Sequence, residues 1–117
     1  MAVIATHIDW RVVSDLAYRT NNVVVKRLIQ SFQNKLTSAL AKIEDALTRE
    51  EWKEIGSAAH QLKSSGAALG AVNLSHLCAQ IDDEIESQGK TEVALCEQLQ
   101  AVGRRVLEEL AAQTRYT

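Results

Sequence analysis

No proline interrupts this chain, aromatic side chains supply only 4% of its 117 residues, and no apolar run approaches the length that a membrane crossing needs. Without proline the backbone meets no obligatory helix breaker. With only five glycines and many Ala, Leu, Glu and Gln residues, the composition favours an all-helical architecture. The scarcity of aromatics means a core built from aliphatic side chains, and 46% hydrophobic content over this length is enough for one such core. A single domain over residues 1–117 is expected. Charge of one sign is lacking too: 13 basic against 15 acidic residues leave a net −2, without the basic excess of a nucleic-acid binder. The N-terminus carries neither a charged leader nor a long apolar stretch, so no signal peptide is expected. The two cysteines, Cys78 and Cys96, fall on the apolar faces of separate predicted helices. They read as buried reduced thiols of a cytoplasmic chain. The initial methionine and the complete set of helices favour a stand-alone protein.

Apolar spacing divides the chain into five helices, with no repeat, low-complexity segment or linker. The first is predicted from Asp9, whose carboxylate can cap it, to about Arg19, with Val12, Val13 and Leu16 inward. A second, long helix runs to about Leu47, because Val25, Leu28, Ile29, Phe32, Leu36, Leu40, Ile43 and Leu47 keep a helical period. Thr48 and Glu51 have the spacing of a capping box and open a third helix that ends near Gly70. Asn73 is the expected cap of a fourth, stopped by Gly89, and Thr91 opens a fifth. Short connections between long amphipathic helices make neighbours antiparallel. The expected fold is therefore an all-α, up-down-up-down four-helix bundle of helices two to five, with the short first helix capping one end.

The third helix holds the most informative residue, His60. At roughly 100° per residue, the positions nearest to it in angle are Gly56, Ser57, Ser64, Ala67 and, further back, Lys53, four of them small. An exposed helix face ordinarily carries long polar side chains. A histidine ringed by small residues leaves room for another macromolecule to approach the imidazole, and Lys63 at i+3 sets a positive charge beside it. The apolar stripe of the same helix, from Trp52 through Ile55, Ala59, Leu62 and Gly66 to Leu69, lies on another side. Gly56 and Gly66 each cost roughly 1 kcal/mol against alanine in a helix, and close approach of a second surface is a reason to keep them. His7 and His76 lie away from this face, show no metal-ligand spacing with His60, and read as surface residues.

The run His60-Gln61-Leu62-Lys63-Ser64-Ser65-Gly66-Ala67-Ala68-Leu69-Gly70-Ala71, followed by Leu74, Leu77 and Cys78, resembles the histidine-containing phosphotransfer (HPt) domain of phosphorelays. The match rests on His60, Leu62, Lys63, Ser65, Leu69, Gly70 and Ala71. It departs at Ser64, where the family usually has glycine, and at Gly66, where serine or alanine is common. Ile8-Asp9-Trp10 and Trp52 extend the likeness over nearly the whole chain.

The resemblance implies that His60 accepts a phosphoryl group from the aspartate of one receiver domain, that of a hybrid sensor kinase, and passes it to the receiver of a response regulator. The chemistry suits the residue, since an imidazole with an ordinary pKa of about 6.5 is mostly neutral, hence nucleophilic, near pH 7. Lys63 would stabilise phosphoryl charge. Ser64 and Ser65 read equally as hydroxyls that orient a phosphohistidine or as small residues on a crowded face. Gly56, Ser57, Gln61, Ala67 and Asp82 would meet the partner. Asp82 matches a position often polar or acidic in the family and near the imidazole, although Asp82, Asp83, Glu84 and Glu86 together also read as a solvated face. No phosphate-cradling loop, kinase signature or carboxylate cluster for a metal is visible, so no cofactor is expected on this chain. Mg²⁺ would sit on the partner receiver. A phosphocarrier without ATP-dependent kinase activity, monomeric and free of membrane and nucleic acid, follows from this reading. A module fed directly by an ATP-dependent kinase is a variant of it. The alternative from another class is a helical adaptor that uses the same small-residue face for docking without carrying phosphate.

Overall fold

A computed structural model describes residues 6–117; residues 1–5, on which the absence of a leader was read, lie outside it. Five helices follow one another: α1 (Trp10–Arg19), α2 (Asn22–Thr48), α3 (Trp52–Ala68), α4 (Val72–Gln88) and α5 (Val93–Ala112), with no strand among the described residues. Packing neighbours are α2 with α3, α3 with α4, α4 with α5, and α5 back to α2, which closes the four long helices into an antiparallel bundle. Their inward stripes meet in an aliphatic core in which Leu36, Ile43, Ile55, Leu62, Leu74, Ile81 and Leu99 are fully buried, together with the free thiols Cys78 and Cys96. Burial pushes the Cys78 thiol up to about 12, and the nearby Asp82 charge adds to the shift.

Local signals set most of the boundaries. Asp9 caps α1 by accepting from the Arg11 amide at 3.1 Å, and Asn21 caps α2 by accepting from the Val24 amide at 2.9 Å. Gly89 ends α4 in the left-handed region at φ 79°. Three starts differ from the sequence expectation. Thr48 closes α2 rather than opening α3: its hydroxyl donates back to the Asp45 carbonyl, and Glu51 makes no capping bond with its side chain. The turn is made instead by Glu50 at φ 52°, a left-handed position held by a residue that does not favour it. α4 starts at Val72, one residue ahead of Asn73, because the Ala71 amide is already taken by the Gly66 carbonyl at 2.8 Å. Thr91 is buried ahead of α5 and donates to Glu84, while Leu28, expected inward, is 41% exposed.

The segment before α1 is tied to the bundle end where α3 turns into α4. The Asp9 amide donates to the Gly70 carbonyl at 2.8 Å, and Gly70 has both a positive φ of 77° and no room, since a Cβ there would stand 2.6 Å from the Asp9 carbonyl oxygen. Glu109 of α5 completes the tie by accepting from the amides of His7 and Ile8 and from the Trp10 indole. His7 is accordingly half-buried, with its Nδ1 unpartnered, and is not the surface residue that the sequence suggested.

Candidate functional site at the seam of two helices

Backbone proximity between α3 and α4 comes first, because it decides which side chains can meet. Gly56 of α3 is buried and faces Ile85: a Cβ built there would lie 3.1 Å from Ile85 Cγ2. Gly66, one end further on, packs at ordinary contact distance against Ala71 and Leu74. The surface that these two glycines admit is therefore the chain's own fourth helix. Gly56 is covered rather than open to a partner, which corrects its place among the approach residues. Between the glycines, the buried Ser75 donates its hydroxyl to the Lys63 carbonyl at 2.8 Å, stitching α4 to α3 at the level of the site.

That closeness brings Asp82 of α4 under His60. His60 Nδ1 lies 2.8 Å from Asp82 Oδ2, and Lys63 donates to the same oxygen at 3.2 Å. Exposure separates the members: the His60 side chain is 67% exposed, Lys63 33%, and Asp82 13%. Asp82 is thus not part of a solvated acidic face, because α4 turns this one carboxylate of the run into the seam. The bond from His60 does most to hold the Asp82 carboxyl below the ordinary carboxylate value; burial opposes it and Lys63 reinforces it. An ionised carboxylate only accepts hydrogen bonds, so the ring nitrogen facing it must carry the proton. In the neutral ring the lone pair then resides on Nε2.

The remaining sequence candidates divide by angle. Ser57, Ser64 and Ala67 lie on the exposed His60 side of α3, as the helical wheel indicated. Gln61 is exposed but turned toward α2, where it lines a groove between the two helices. Ser65, five residues after His60, is rotated by roughly 140° from it. Its hydroxyl donates to the Gln61 carbonyl at 3.2 Å and accepts from Lys35 of α2 at 3.1 Å. The hydroxyl is thereby engaged on the α2 side of the helix, away from the imidazole, a geometry that suits the second of its two readings better than the orienting of a phosphohistidine. Sequence reasoning passed over Lys35 and Ser75; the first had a signal in the carboxylate-free run of the second helix from Asn22 to Ile43, the second only in its spacing from Cys78 on one helix face. Among the described residues no three His, Cys, Asp or Glu side chains gather as a metal site.

An exposed histidine held by a carboxylate on the flank of an antiparallel helical bundle is an arrangement suited to carrying a phosphoryl group. Comparison with family models assigns the class: the Hpt domain matches residues 27–115, and the chain belongs to that family, with a histidine phosphotransfer role in phosphorelays. Among solved structures it is similar to histidine-containing phosphotransfer protein B (HptB) from Pseudomonas aeruginosa PAO1. The TM-score is 0.80 at 22% identity, over 92% of this chain and 94% of that one, a likeness of fold. No curated protein matches the chain.

Proposed function

We propose that His60 is the residue that carries the phosphoryl group, accepting it on Nε2 from a receiver-domain aspartyl phosphate and surrendering it to a second receiver. The observation that supports this most directly is the 2.8 Å contact of Nδ1 with Asp82 on a side chain 67% exposed: in the neutral ring a proton on Nδ1 puts the lone pair on Nε2. In the forward step the Nε2 lone pair forms an N–P bond while the acyl O–P bond breaks, its electron pair returning to the donor carboxylate. The ring becomes cationic as this happens. Asp82, already ionised and in contact with Nδ1–H, stabilises that charge without reorganising. Lys63 is held beside the imidazole by Asp82, so its ammonium is in place for the equatorial oxygens of the group in flight. Reversal of the same atoms delivers the group onward.

Nothing in this scheme asks for a metal or a nucleotide on the chain itself; the Mg²⁺ belongs with the receiver. The protein is then a phosphocarrier rather than a kinase, acting as a monomer in the cytoplasm, between the receiver of a hybrid sensor kinase and that of a response regulator. Incubation with receiver domains charged by acetyl phosphate should place an acid-labile, alkali-stable phosphate on the chain. His60→Gln should lose all of it. Full labelling of that variant would remove His60 from the acceptor role, and a partner that binds His60→Ala normally with no transfer in either direction would make the protein an adaptor.

A further inference from the structure

Charge is segregated across the face that carries His60. From Asn22 to Ile43, α2 bears Lys26, Arg27, Lys35 and Lys42 and no carboxylate; α4, from Val72 to Gln88, bears Asp82, Asp83, Glu84 and Glu86 and no lysine or arginine. Helix α3 lies between them, in contact with both. Lys35 and Lys42 are seven residues apart, hence on one face of α2, and both are exposed. With Ser38, Ala39, Ala58 and Gln61 they line a groove of about 250 Å³ between α2 and α3. Among the described residues neither lysine has a carboxylate within ion-pair distance, whereas Lys63 is occupied by Asp82. Lys35 is nevertheless held, because its ammonium donates to the Ser65 hydroxyl at 3.1 Å. A neutral acceptor fixes the position of that charge without cancelling it.

We propose that Lys35 and Lys42 form a docking rail for a carboxylate-bearing rim of the receiver domain, and that the cation-to-carboxylate polarity across α3 sets which way round the receiver sits. The proposal rests on His60 being the acceptor. A receiver that presents an aspartyl phosphate and retains a divalent cation must surround its reacting aspartate with further acidic groups. Docked one way, those groups meet the lysines of α2; rotated by half a turn they meet Asp83 and Glu86, and like charges repel. The polarity thus selects one of two approaches that the small residues around His60 would otherwise admit equally. Rim charges of this kind act on encounter rather than on the chemical step.

The test compares wild type, Lys35→Glu/Lys42→Glu and Lys35→Arg/Lys42→Arg with the same receivers charged by acetyl phosphate. The charge-reversed variant should raise KM for the phosphorylated receiver about tenfold at low salt, with the rate at saturating receiver and the hydrolysis half-life of the phosphohistidine unchanged. The arginine pair should behave as wild type. The difference should shrink near 1 M salt, where the screening length is about 3 Å. A wild-type KM in the reversed variant would overturn the rail, as would a fall confined to the saturating rate. If wild type takes label and His60→Gln does not, such a result condemns the rail alone; if wild type takes none, the acceptor assignment falls and the rail with it.

Discussion

The two flanks of α3 are built on different principles. Toward α4 the seam is narrow: a glycine admits Ile85, the buried Ser75 ties the backbones, and a carboxylate only 13% exposed gathers the imidazole and an ammonium. Toward α2 the border is an open groove with an exposed lysine resting on a serine hydroxyl. One flank fixes the state of a single ring; the other holds charge that no carboxylate pairs with among the described residues. The contrast teaches that a bundle with one reactive side chain can separate chemistry from recognition by assigning each to a different neighbour of the same helix. Substitutions on the α4 flank should therefore change the rate of transfer, and those on the α2 flank its dependence on partner concentration.

The largest effect is expected at Asp82. Asp82→Ala removes both the acceptor that selects the Nδ1–H form and the charge that stabilises the ring as it turns cationic, and transfer at saturating receiver should slow on the order of tenfold to a hundredfold. Asp82→Asn keeps an acceptor oxygen and loses the charge, so its rate should fall between. Nitrogen chemical shifts of the His60 ring check the cause: the proton should sit on Nδ1 in wild type and be shared with Nε2 in Asp82→Ala. The same carboxylate links stability to acid. Its folded pKa is depressed, so its contribution is complete above the ordinary value of about 3.9 and is lost as the pH falls through the lower, folded value. Unfolding free energy below about pH 4 should decline less steeply in Asp82→Asn than in wild type.

A smaller effect, on both fold and transfer, is expected where the seam is narrowest. In Gly56→Val the added Cβ alone would meet Ile85 Cγ2 at 3.1 Å, and the branches have nowhere to go, so the overpacked seam should cost about 2 kcal/mol in urea unfolding. By pushing α4 outward it should also slow transfer. Gly56→Ala should come out near neutral, because a gain of roughly 1 kcal/mol in helix propensity offsets the strain at Ile85. Wild-type stability in Gly56→Val would mean that the seam is not the rigid flank.

Gly56 also marks how far the sequence could be read. Helical period alone located the five helices, since apolar spacing through α2 and α3 maps directly onto burial. The same wheel put Gly56 beside His60 in angle, which is correct, but angle does not say whether a neighbouring helix covers the position. What covers it is Ile85 of α4, a tertiary fact without a local signal. Asp82 was obscured for the converse reason: within an acidic run only the pitch of α4 against α3 singles out the carboxylate that turns inward. The α2–α3 boundary was missed because Glu50, rather than a glycine or asparagine, takes the left-handed turn. Thr48 and Glu51 meanwhile offered the spacing of a capping box that the backbone does not use. His60 and Lys63 were legible because their relation is local, three residues apart on one helix.

Ser65 offers the finest test, since the family resemblance and the geometry assign it differently. If its hydroxyl oriented a phosphohistidine, Ser65→Ala would lower the saturating rate and shorten the life of the phosphorylated form. The structure turns that hydroxyl toward Lys35, so the substitution removes two exposed hydrogen bonds, one from that ammonium and one to the Gln61 carbonyl, and leaves Asp82, Lys63 and His60 in place. Stability should change by less than about 0.5 kcal/mol, as is usual for exposed positions. The rate at saturating receiver should stay within about twofold of wild type, the margin left when the imidazole and its carboxylate are untouched. Only KM should rise, by about two- to threefold, as Lys35 loses its rest and samples more rotamers before it meets a carboxylate. A lowered saturating rate at unchanged KM would move Ser65 to the chemical flank and dissolve the division between the two sides of α3.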